Sequence, residues 1–105
     1  MGANPQAGEV ALSLGGRSHV CKLTLGTLAE LEAELGEDSL VALVERFETG
    51  RFRAADVIAV LEAGLRGGGW RGTRADLVAG DPAGGPVGAA RAAAALIARA
   101  FAVPE

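Results

Sequence analysis

Residues Thr24–Gly50 read TLGTLAELEAELGEDSLVALVERFETG, and two short amphipathic helices joined by one tight turn account for almost every residue in them. Leu28, Leu31 and Leu35 recur at i, i+3 and i+7, one face of a helical period, while Glu30, Glu32 and Glu34 fall mostly off that face. Thr27 with Glu30 forms a capping box at the start, and Thr24 is the rival cap one turn earlier. Gly36 supplies the residue that ends many helices. Asp38 is expected to cap a second helix with the stripe Leu40, Leu43, Val44 and Phe47, ended by Gly50. Two apolar faces this close in sequence are expected to bury each other as an antiparallel pair.

Upstream, Met1–Gly8 is small and polar around Pro5 and is expected to be a loose tail, leaving residues 9–105 as a single domain. Glu9–Thr24 alternates like two strands around Gly15-Gly16, a dipeptide suited to a two-residue hairpin turn. Pairing across that turn sets Val10 opposite Cys21 and Leu12 opposite His19 on one face. The other face then carries Glu9 against Lys22 and Ser13 against Ser18. A lone hairpin is marginally stable, so its apolar face should lie on helices.

Downstream, a third helix is expected over about Ala54–Arg66, with Val57, Ile58, Leu61 and Leu65 inward and Glu62 paired with Arg66. Gly67-Gly68-Gly69 ends it and reads as a terminator and hinge. Thr73 and Asp76 cap a short helix Arg74–Ala79 with Leu77 and Val78 inward, and Gly80–Gly85 reads as a mobile turn-rich loop. Pro86 opens a last, alanine-rich helix whose expected core stripe is Val87, Ala90, Ala94, Ile97 and Phe101. The fold class is therefore mainly α: an N-terminal β-hairpin packed on a bundle of four to five short helices.

Composition narrows the function. The net charge of −3 has the wrong sign for a phosphate-binding surface, and the ten basic residues form no stripe, which argues against nucleic acid. No run approaches a membrane span, and a single cysteine fits a reducing cytoplasm. His19 and Cys21 share a strand face, but a metal centre needs about two further ligands of the same kind, so a core cysteine is the stronger reading. The helix carboxylates read as a solvated charge run, and GGGWRG follows a helix and lacks the ending of a phosphate loop. No catalytic residue, metal or cofactor is expected. Trp70 is either a cover for the core or an interface anchor.

The order of a GG hairpin, the segment TLGTLAELEAELG and the helix terminator GLRGGGW resembles the small tail protein of gene transfer agents. These are phage-like particles of alphaproteobacteria, and the family is grouped with phage tail assembly chaperones and also labelled a tail tube protein. The resemblance spans Glu9–Phe101 and brings no catalytic residues. It implies a cytoplasmic chaperone that binds the tape measure protein and helps load tail tube subunits; the alternative it implies is a structural tube or connector component kept in the particle. Self-association stays open. The partner-binding surface is expected on the face of the last helix that its core stripe leaves free, around Ala93, Leu96 and Arg99, with Phe52 or Trp70 as anchors.

Overall fold

A computed structural model describes residues 3–4, 7–36 and 39–102. The expected Asp38 cap lies outside the described residues, as does part of the expected tail Met1–Gly8. The chain runs β1 (Val10–Leu14), β2 (Arg17–Cys21), α1 (Leu25–Leu35), α2 (Leu40–Thr49), α3 (Ala54–Gly67), α4 (Arg74–Ala79) and α5 (Gly85–Ala100). It is mainly α, with the N-terminal hairpin laid on the helices.

The hairpin has the register that its side-chain alternation requires, with Val10 opposite Cys21, Leu12 opposite His19 and Ser13 opposite Ser18. Gly15 and Gly16 both adopt positive φ, 56° and 80°, the combination that lets a two-residue turn follow the twist of the strands. Val10, Leu12, Leu14 and Cys21 point into the core.

α1 begins one turn earlier than the Thr27–Glu30 box predicts. Thr24 is the N-cap, its hydroxyl accepting from the Thr27 N–H at 3.2 Å while the Thr27 hydroxyl accepts from the Thr24 N–H at 2.9 Å. Two threonines three apart satisfy both free amides, so Glu30 is released to pair with Arg66 on α3 at 3.2 Å. Ser39 caps α2, accepting from the Ala42 N–H at 3.0 Å. The two helices do not chiefly bury each other: α1 packs mainly on α3, and α2 on α5. The reason is that α3 offers a larger apolar surface than either neighbour, with Val57, Ala59, Val60, Leu61, Ala63 and Leu65 all buried. It is the central helix, touched by α1, α4, α5 and β2.

The glycines that end α3 do more than stop it. A β-carbon on Gly67 would lie 1.9 Å from the Lys22 carbonyl oxygen, and one on Gly68 would lie 1.8 Å from that of Val20. The end of α3 is therefore a seat for the backbone of β2, fastened where the Lys22 N–H donates to the Gly64 carbonyl at 2.9 Å. Gly80–Gly85, expected to be mobile, is pinned to the hairpin. The Gly15 N–H donates to the Asp81 carbonyl at 3.1 Å, and the Ala83 N–H donates to the Ser13 carbonyl at 3.0 Å. Leu14 and Pro82 pair as an isolated bridge. In α4 the Thr73–Asp76 capping box is present and Leu77 is buried, but Val78 points outward, 61% exposed.

Two ionic clusters tie helices together. Asp56, only 2% exposed, accepts two hydrogen bonds from the Arg46 guanidinium of α2 (3.0 Å each), one from Arg53 Nη2 (3.0 Å) and one from the Arg53 backbone N–H (2.8 Å). Burial on its own would raise the Asp56 pKa, but these donors outweigh it and hold the carboxyl at about 2. On the other side Arg74 bridges Glu62 of α3 and Glu34 of α1, and Arg66 bridges Glu62 and Glu30. The carboxylates of α1 are thus partly cross-links between helices and not simply a solvated run.

Candidate functional site

The last helix is turned from the orientation its sequence suggests, with Ile97 alone of the expected stripe fully buried. Ala89, Ala93, Leu96 and Ile97 are its buried residues, with Ala93 and Leu96 completely enclosed. Ala93 and Leu96 therefore belong to the core and are not available to a partner. Val87 and Phe101, expected inward, are 61% and 40% exposed, and Ala90 and Ala94 are half-buried. The cause is the uniformity of the helix: apolar residues occupy nearly every position, so periodicity selects no face. The orienting mark is Arg91. A helix turns about 100° per residue, so positions two away point to the opposite side. Arg91 is exposed, and Ala89 and Ala93 are accordingly the buried pair.

The remaining expected site residues fall in three places. Arg99 is exposed, and its Nη1 donates to the Glu9 carbonyl, fastening the chain just before β1 to α5. Trp70 is half-buried against the core with its ring edge-on to His19, centroids 6.4 Å apart, and its backbone N–H donates to the Leu65 carbonyl at 2.9 Å. Phe52 is half-buried and stacks on Phe47 of α2, with rings 5.0 Å apart and nearly parallel. The structure does not bring these residues together.

What it does bring together is apolar surface on either side of α5. One groove, of about 560 Å³, runs between α3, α4, the 80–85 loop and the start of α5. Phe52, Ile58, Val78, Pro82, Pro86 and Ala90 line it, with Asp81 the one ionisable group among its lining residues. A second, of about 400 Å³, lies between α2 and the end of α5, lined by Val44, Phe47, Ala94, Ala98 and Phe101 with Glu48 at its edge. The stacked Phe47 and Phe52 place one ring in each groove. Such surfaces suit the apolar face of a helix. Sequence reasoning assigned Ile58 and Val78 to the core; no pattern within the chain marks them as groove walls.

Cys21 is fully enclosed, and burial pushes its thiol up to about 12, which keeps it protonated and unreactive. Among the described residues no three His, Cys, Asp or Glu side chains are placed to hold a metal ion, and no helix is long and apolar enough to cross a membrane.

Comparison with known proteins gives one result. The family model described as phage tail tube protein, GTA-gp10 matches residues 7–103, and the chain belongs to this family. No curated protein and no solved structure matches.

Proposed function

We propose that this member of the phage tail tube protein family is a non-enzymatic tail assembly protein acting in the cytoplasm, a chaperone that binds a helix of the tape measure protein and helps tube subunits assemble around it. The observation that carries this reading is the groove lined by Phe52, Ile58, Val78, Pro82 and Pro86, an open apolar channel between three helices with a single carboxylate among its lining residues. An amphipathic helix laid there buries its apolar stripe against these side chains, which is how helix-in-groove recognition gains its affinity.

A second reading, a tube or connector subunit retained in the tail, is favoured by the family's description. Rings built by joining sheets need free strand edges, and here the hairpin's edges are engaged at their ends. On the β1 side Arg99 takes the Glu9 carbonyl and Ala83 the Ser13 carbonyl; on the β2 side the Lys22 N–H meets Gly64. That occupancy supports the chaperone over a sheet-extending subunit.

The test is co-expression with fragments of the neighbouring tape measure protein, read by size-exclusion chromatography with light scattering. A soluble complex that Val78→Asp weakens at least tenfold, without loss of helical signal, is the expected result. Failure of every tape measure fragment to bind, together with recovery of the chain from purified particles, moves the assignment to the structural subunit.

A further inference from the structure

The second groove and the outer line of α5 have a symmetry of their own. Val87, Arg91, Ala94, Ala98 and Phe101 follow one another at spacings of four, three, four and three residues, the seam of a helix that packs along another helix. All five lie at least partly open to solvent. The two large apolar side chains stand seven residues either side of Ala94. We propose that in the free protein this face is covered by a second copy of the chain, with α5 antiparallel to its mate about a two-fold axis at Ala94.

That arrangement makes each end complete the other. Val87 of one copy meets Phe101 of its mate at both ends, and Ala94 meets Ala94 at the centre, small enough for close approach. Arg91 falls level with Ile97 of the mate and beside its Ala98, which line the groove that holds Glu48. Neither Arg91 nor Glu48 has a hydrogen-bond or ion-pair partner among the described residues. Across the two-fold axis each acquires one, twice, as a self-complementary interface requires. From Val87 to Phe101 the seam is about 21 Å long at the ordinary helical rise. A single pair of helices in contact over that length buries little surface, so the dimer is reversible. The inference rests on the shape and charge of this face and not on the tape measure reading, which uses the other groove.

Light scattering and sedimentation equilibrium of the purified chain alone, over a concentration series, test it. The expected result is a monomer–dimer equilibrium that Ala94→Glu abolishes, since two like charges then meet on the axis; circular dichroism should be unchanged because Ala94 is partly open. Arg91→Glu and Glu48→Arg should each weaken the dimer at least tenfold. An equimolar mixture of those two variants should dimerise as tightly as the parent, because each copy then supplies the charge the other lacks. A monomer at every concentration overturns the proposal, as does a dimer indifferent to Ala94→Glu or a mixture that fails to recover.

Discussion

Replacing Gly67 by alanine should destabilise the fold although it improves the helix. Gly67 lies in the last turn of α3 without a positive φ, so the backbone itself accepts alanine. The added methyl, however, would sit 1.9 Å from the Lys22 carbonyl oxygen, a backbone atom that cannot swing aside. β2 must retreat by more than about 1 Å to reach ordinary contact, which strains the packing by about 1–3 kcal/mol. The retreat also breaks the 2.9 Å bond from the Lys22 N–H to Gly64, a net loss of about 1 kcal/mol. Alanine's better helix propensity returns about 1 kcal/mol. The balance is a loss of about 1–3 kcal/mol, or roughly 5–15 °C in Tm for a domain of this size. The control is Gly26→Ala in α1, where the nearest atom to a new β-carbon is Thr24 Oγ1 at 3.9 Å. That substitution should stabilise by about 0.4–1 kcal/mol through the unfolded chain. Urea denaturation followed by circular dichroism measures both. If Gly67→Ala proves as stabilising as Gly26→Ala, the seat for β2 does not exist and the glycines are only a terminator.

Further predictions concern the core and the buried carboxylate. Asp56→Asn should cost about 2 kcal/mol at pH 7, since the pKa is lowered from 3.8 to about 2 by interactions that an amide cannot make. Because the folded pKa lies below the unfolded one, that stability is present above about pH 4 and is lost as pH falls toward 2. The gap between parent and variant in urea midpoint should therefore close across that range; a gap independent of pH would refute it. Leu96→Ala should cost about 2–5 kcal/mol, as for a fully enclosed leucine, while Val87→Ala should change stability by less than about 0.5 kcal/mol. Thermal melts of the two variants decide which face of α5 is core.

The fold was largely legible because its signals are local. The hairpin register follows from alternation around Gly15-Gly16, and α4 with its cap follows from Thr73 and Asp76. Where two capping signals overlapped, Thr24 prevailed over Thr27, because the threonine pair closes a box without calling on Glu30. The partners of α1 and α2 were not legible, since the choice depends on which distant helix offers the most apolar area. The candidate surface was legible only in its elements. Phe52 lies in a groove, but the free face of α5 was largely misassigned: in a helix of alanines only Arg91 and Arg99 distinguish inside from outside. The seat at Gly67 and Gly68 arises from a strand more than forty residues upstream, a contact that spacing within the motif cannot show.

The groove lined by Phe52, Ile58 and Val78 is the surface proposed to receive an apolar helix of the tape measure protein. Co-expression with tape measure fragments, carried out for the parent and for Val78→Asp, tests it most directly. The prediction is a soluble co-eluting complex for the parent and a folded but at least tenfold weaker binder for the variant. A complex that Val78→Asp leaves untouched would place the partner elsewhere and contradict the claim.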